Sequence, residues 1–319
     1  MPAIALLVAT VGSEPRVAGQ AWMMDAFVQL TREFRCEHFY IDIGTNRGVQ
    51  LRKLHEPASY PNATVQPLYR RLFGPNPECA RVCTIGFEPN PHHHRWLAQI
   101  ESRYRSLGAG VLIVPAAAGD AEGVLPFGVS SSNKTDDNGD WSASAFPVWR
   151  GSSHWDKVFK RKDGTHIFGL YGSLTVPMVD VAPLFKAASK AMEAIHREGV
   201  RPKLLVKMDC EGGEYKLLPH LLLAQALCLA DHVYIEWHEQ FYSRAVALLN
   251  AKREGLRAGR QGADAHQAMM KAVHNAAVSA VKTAGCGTRI EALADDGGHR
   301  DTVEPTAAHE AALRCGAMI

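Results

Sequence analysis

Two short stretches concentrate the groups that do chemistry. The first, LLVKMDCEGGEYKLLP (residues 204–219), sets Asp209, Glu211 and Glu214 around Gly212 and Gly213, directly after an apolar run broken by Lys207. The second, YIEWHEQF, carries Glu236 and His238. Positions two apart on an extended chain share a face, so this pair predicts a carboxylate beside an imidazole. Such a carboxylate raises the basicity of the ring and fixes its tautomer, which suits His238 as a general base, with Asp209 or Glu236 orienting it or the substrate. Asp209, Glu211 and Glu236 are also hard oxygen donors of the kind that hold Mg²⁺. The pattern accommodates that ion without requiring it. Glu214 falls where the next helix begins, and a carboxylate there complements the helix dipole. A structural ion pair accounts for Lys207.

A second group of residues points to a nucleoside. YIDIGTNRG places Asp42, Gly44, Thr45, Asn46 and Gly48 at the end of an apolar run. In open α/β sheets ligands bind outside the carboxyl ends of the strands, and glycines there let the backbone approach them. The spacing is G-x-x-x-G, not the G-x-G-x-x-G that cradles a dinucleotide pyrophosphate. Glu88, in GFEPNP, ends the next strand, where a carboxylate can accept both ribose hydroxyls. Asp120, in AAAGD, ends a third and is placed to meet an adenine amino group.

The elements that must carry these groups alternate along the chain. Apolar spacing predicts a helix over 17–34, then strands in CEHFYIDI, RVCTIGF, GVLIVPAAAGD and GVLPFGVS, the last on an edge. Helices follow in HHHRWLAQIESRYRSLG, around 184–198 and from 214 to about 228. The Pro- and Asn-rich residues 55–80 read as an irregular insertion, and 130–172 as a surface excursion. Within that excursion Trp141, Trp149 and Trp155 are candidates to wall an acceptor site. The Ala-rich residues 243–283 are helical, and GTRIEALADDGGHRD resembles a terminal hairpin. Three adjacent histidines, His92 to His94, read as a solvated helix start, not a metal site. The alternation predicts an α/β fold with a mostly parallel sheet covered on both faces. It divides into an N-terminal helical extension (1–36), one domain (37–303) and a tail (304–319).

The order DIGTNRG, FEPNP, AAAGD, VKMDCEGGEYKLL and YIEWHEQF resembles the FkbM-type methyltransferases. KMDCEGGE, similar to that family's K-x-D-x-E-G-x-E signature, is the most specific piece. The resemblance covers roughly residues 37–240. It implies a Rossmann-like methyltransferase fold with a seven-stranded sheet and a C-terminal antiparallel hairpin. It also implies an S-adenosylmethionine-dependent O-methyltransferase acting on a hydroxyl of a small molecule, sugar or glycan. Asp42, Gly44, Asn46 and Gly48 would then line the methionine side of the cofactor, Glu88 its ribose, and Asp209 the methyl group. Two other readings stand beside it. Asp209-Cys210-Glu211 has the D-x-D-like spacing of a metal-dependent glycosyltransferase, and a non-catalytic relative would keep the fold without turnover.

Composition narrows the partners. The 319 residues are 46% hydrophobic and 21% charged, with a formal net charge of +2. That is an ordinary soluble composition, without the charge bias that would point to nucleic acid or a membrane surface. Cysteines 36, 79, 83, 210, 228, 286 and 315 are odd in number and irregularly spaced. They predict no disulfide framework and a reducing compartment. A cytoplasmic location is expected; the short apolar run Ala3–Val11 leaves a secretory route as the weaker alternative.

Overall fold

The structure, a computed structural model, describes residues 19–130, 170–195, 201–238 and 260–293. Strand β1 (His38–Ile43) is buried at all six positions, as a strand covered on both faces must be. Its odd residues Phe39, Ile41 and Ile43 enter the largest apolar core; Tyr40 enters another. Strands β2 (Val82–Phe87), β3 (Val111–Val114), β7 (Leu204–Met208) and β8 (His232–Ile235) alternate in the same way. With β9 (Arg289–Ala292) they form a six-stranded sheet in the order β3-β2-β1-β7-β8-β9. Every pairing in it is parallel. A smaller mixed sheet has the order β4-β6-β5, built from β4 (Ala117–Gly119), β5 (Gly123–Ser130) and β6 (Leu170–Asp180).

Helices cover both faces of the larger sheet. On one lie α1 (Gln20–Phe34), α5 (Ala182–Ile195), α6 (Glu214–Leu223) and α7 (Arg260–Thr283). On the other lie α2 (Val49–His55), α3 (Gln66–Phe73) and α4 (Pro91–Ser106). Helix α4 begins with Asn90 as N-cap, its side chain accepting from the His92 amide at 3.1 Å, and with Pro91 in the first turn. Chain order reverses between β1 and β7, the two central strands. This is the crossover at which doubly wound sheets open a crevice beyond their carboxyl ends.

Several expectations are corrected by packing. Helix α1 is no extension: Met23, Phe27 and Leu30 sit in the main core. Residues 55–80 are not irregular throughout, because α3 buries Tyr69 and Phe73 against Tyr40 and Tyr234. GVLIVPAAAGD is two strands, not one. β3 stops at Val114 before Pro115, and β4 joins the second sheet. RIEA is a parallel strand beside β8; the remainder of the expected hairpin lies outside the described residues. Six strands, not seven, are described in the main sheet. The tryptophans 141, 149 and 155 also lie outside the described residues.

The cysteine expectation is overturned as well. Cys36 pairs with Cys83, and Cys228 with Cys286, with Cα separations of 5.4 and 5.0 Å. Spacing could not show this, because each pair spans 47 or 58 residues of chain and meets only when the fold assembles. Cys210 is a free thiol. No described helix is long and apolar enough to cross a membrane.

Candidate functional site

Parallel pairing puts Ile43 of β1 opposite both Phe87 of β2 and Met208 of β7. The turns after these strands therefore emerge side by side, carrying Gly44–Gly48, Glu88 and Asp209–Gly213. Gly44 has φ of +80° and lies against the next turn so closely that an added Cβ would stand 1.7 Å from the Asp209 carbonyl oxygen. Only glycine permits both the left-handed turn and that approach. Thr45 is buried and caps the turn by donating its hydroxyl to the Asp42 carbonyl at 2.9 Å.

Lys207 ties the two turns together. Its ammonium lies 3.2 Å from Asp42 Oδ1 and 3.1 Å from Asp209 Oδ2, and donates to the Gly44 carbonyl at 2.5 Å. The Lys207 side chain is 2% exposed and that of Asp42 0%. Burial disfavours charge on Lys207, but Asp209 and Asp42 outweigh it and hold the ammonium well above its usual range. Asp42 is pushed upward by burial, with Lys207 opposing. Beneath the pair the hydroxyls of Tyr40 and Tyr234 meet at 2.5 Å, with Tyr69 3.3 Å from Tyr234. The ion pair expected for Lys207 is present, and it organises the site.

Glu88 is buried at the tip of β2 and accepts the Asn46 amide at 2.6 Å and the Asn90 amide at 2.7 Å. Burial raises its carboxyl to about 7, with those two amides opposing. A carboxylate has about four acceptor positions, so two remain for hydroxyl donors. Nearby, Asn46 Oδ1 and Asn90 Nδ2 are buried without hydrogen-bond partners among the described residues. Such buried atoms are ordinarily satisfied by water, an ion or a polar ligand. Asp120 is not brought here by β3: it follows β4 of the smaller sheet and is exposed. Of the histidines at the start of α4, His92 is exposed as expected, but the other two depart from the solvated reading. His93 is buried, and His94 Nε2 lies 2.8 Å from the Glu88 carbonyl oxygen.

The other half of the site is built on His238. Its Nε2 lies 3.7 Å from Asp209 Oδ1, 3.6 Å from Glu211 Oε2 and 3.7 Å from Glu236 Oε1. Strand β8 ends at Ile235, so Glu236 and His238 converge from the segment beyond it. Trp237, between them, stacks on His274 of α7 with ring centroids 3.8 Å apart and contacts Tyr215 of α6. What sequence reasoning missed is the link from Glu214 to His238. Glu214 is wholly buried; one oxygen accepts the His238 amide at 2.7 Å and lies 3.3 Å from Nδ1. The other accepts the Gly212 amide at 3.0 Å. Its place in the first turn of α6 gave no sign of a partner 24 residues away.

Burial opposes charge on the His238 ring. The Glu214 hydrogen bond and the charges of Glu211, Glu214 and Asp209 outweigh that penalty and raise it to about 10. The imidazole as it stands is a proton holder at neutral pH. Burial raises Glu211 to about 8, with His238 opposing and Asp209 adding to the rise. Asp209, Glu211 and His238 bring three candidate ligand atoms within 4.8 Å of one another. Asp42, Asp209, Glu211, Glu214 and Glu236 thus surround two cationic side chains, Lys207 and His238. In comparisons with known proteins, the chain matches no family model, no curated protein and no solved structure.

Proposed function

We propose that the chain is an S-adenosylmethionine-dependent O-methyltransferase with a Rossmann-like methyltransferase core, as the resemblance to the FkbM-type enzymes implies. One observation carries the reading. The glycine turn after β1, the buried Glu88 after β2 and Asp209 after β7 converge at the crossover of the sheet, among orphaned buried polar atoms. Asp42, Gly44, Thr45, Asn46 and Gly48 would border the methionine part of the cofactor, and Glu88 would accept its ribose hydroxyls. The cofactor supplies an electrophilic methyl group on a positively charged sulfur.

The protein's own contribution is position and charge. Asp209 lies between the two halves, one oxygen on Lys207 and the other toward His238. Asp209, Glu211 and Glu236 would be shared between the imidazolium and a cationic group bound beside them, so His238 would hold its proton less firmly. Nε2 would then be able to take a proton from an acceptor hydroxyl, with Glu214 holding the ring at Nδ1. The acceptor class is a hydroxyl of a small molecule, sugar or glycan. Disulfides persist in oxidising environments, so the cystine bridges among the described residues favour the secretory route over the cytoplasm.

Isothermal titration of the full chain with S-adenosylmethionine and S-adenosylhomocysteine, in EDTA, tests the reading. Micromolar binding of at least one is expected, weakened by Glu88→Ala. Absence of heat with both ligands would sink it, and an unchanged affinity in Glu88→Ala would remove the ribose role.

A further inference from the structure

We propose that His238, Asp209 and Glu211 form a binding site for one first-row divalent transition ion, of the Zn²⁺ or Mn²⁺ kind, with Glu236 at its rim. The spacing is the first ground. Ligands at about 2.0–2.2 Å from an ion stand roughly 3.0–3.5 Å from one another at tetrahedral or octahedral angles. The imidazole Nε2 stands 3.7, 3.6 and 3.7 Å from carboxylate oxygens of Asp209, Glu211 and Glu236. The candidate ligand atoms of Asp209, Glu211 and His238 lie within 4.8 Å of one another, so side-chain rotation toward a common centre would bring these three onto a shared ion. The donors come from two separate turns, after β7 and after β8, so the group is assembled by the sheet and is not a run of neighbouring acids.

The supporting shell is the second, independent ground. A metal-binding histidine is commonly oriented by a carboxylate on its other ring nitrogen. Glu214, wholly buried, occupies that place at 3.3 Å from Nδ1 and also accepts the His238 amide. His238 itself is 4% exposed, so its Nε2 is presented to the carboxylates from a fixed, buried ring. Asp209 is oriented in the same manner: Lys207 holds Oδ2 at 3.1 Å and leaves Oδ1 facing Nε2. Each of these two ligands thus has one atom anchored and one directed at the common centre.

The donor set selects the ion. Mg²⁺ and Ca²⁺ prefer all-oxygen surroundings, whereas an imidazole with carboxylates suits Zn²⁺, Mn²⁺ or Fe²⁺. An ion held by three protein groups keeps a position open. On the methyl-transfer reading, on which only this last step rests, that position would receive the acceptor's hydroxyl oxygen. With Nε2 committed to the ion, the ion would acidify the hydroxyl and Glu236 at the rim, in place of His238, would take its proton.

The test uses the full chain, stripped with EDTA and dialysed. Titration with Mn²⁺ or Zn²⁺ alone is expected to show one ion per chain, with Mg²⁺ binding at least tenfold more weakly. Co²⁺ is expected to give d–d absorption bands of a nitrogen-containing site. Asp209→Asn and His238→Gln should each weaken binding about 100-fold, and Glu214→Gln about 10–100-fold through loss of orientation. Uptake that does not saturate at one ion, equal preference for Mg²⁺, or unchanged affinity in folded His238→Gln would overturn the proposal. Should those variants fail to fold, the wild-type Co²⁺ spectrum decides alone, and a spectrum of hexaaqua Co²⁺ overturns it. S-adenosylhomocysteine binding in EDTA with no ion uptake would refute the metal site and leave methyl transfer standing. Ion uptake without nucleoside binding would do the reverse.

Discussion

Lys207→Met removes the ammonium that joins the two turns of the site and leaves a side chain of similar length. Three partners lose it at once: Asp42 Oδ1, Asp209 Oδ2 and the Gly44 carbonyl. Asp209 is partly exposed and can turn to water, but the Asp42 side chain is 0% exposed and cannot. Removing one member of a buried ion pair costs about 3–5 kcal/mol, because the other charge is left without compensation. Against a total stability of about 5–15 kcal/mol, that is a large loss. Urea denaturation followed by far-ultraviolet circular dichroism measures it as a lowered midpoint at constant slope. Asp42→Asn in the Lys207→Met background deletes the stranded charge and should restore at least half of the loss. A single-variant cost below about 1 kcal/mol, or costs that simply add in the double variant, would refute the idea that Lys207 compensates a buried carboxylate.

The pH dependence of Lys207→Met supplies a second check on the same reasoning. Burial already raises Asp42, and Lys207 opposes that rise. Without the ammonium the folded state holds the Asp42 proton to higher pH, while the unfolded carboxyl releases it near pH 4. Between those values the native state binds more protons than the unfolded state, so stability falls as pH rises. The variant should therefore recover toward wild type at pH 5 and be weakest at alkaline pH. A deficit that is flat with pH would show that the lost stability has another source.

Three further outcomes are expected. Burial raises Glu88 to about 7 and Glu211 to about 8, while carboxylates raise His238 to about 10; each folded value exceeds its unfolded one, so wild-type stability should decline from about pH 5 upward. Glu88→Gln should flatten the part of that decline below about pH 7, which pH-resolved urea midpoints will show. Gly44→Ala, forced to a φ of +80° with its Cβ 1.7 Å from the Asp209 carbonyl oxygen, should abolish S-adenosylhomocysteine binding while melting somewhat lower than wild type; retained affinity would show that the turn can open without harm. Reducing either disulfide, with chain separations of 47 and 58, should cost about 4 kcal/mol by loop-closure entropy; peptide mapping without reductant checks the pairings, and free thiols at Cys36 or Cys286 would refute them.

What could be read ahead of the structure followed from local pattern and strand geometry. The alternation of apolar runs with helical spacing was enough for a parallel sheet. The carboxyl ends of its strands were enough to gather Gly44, Glu88 and Asp209, since neighbouring parallel strands must deliver their turns to one edge. Asp120 shows where that reasoning stops. Pro115 ends β3 early, and the next residues pair with a strand more than fifty positions away in another sheet. The disulfides failed for a related reason, because pairing is a property of the assembled fold and not of spacing. Glu214 is the more instructive case. A carboxylate in the first turn of a helix has a sufficient local explanation in the dipole, so nothing prompts a search for another. Yet the dipole contributes only about 0.3–1 kcal/mol at an exposed position, far less than it costs to bury a carboxylate. Where such a residue is wholly buried the dipole cannot be its full account, and a distant partner is required. Here that partner is His238, which couples the turn after β7 to the segment after β8. Burial, which the sequence does not print, is the quantity that separates a helix cap from a residue that orients the site.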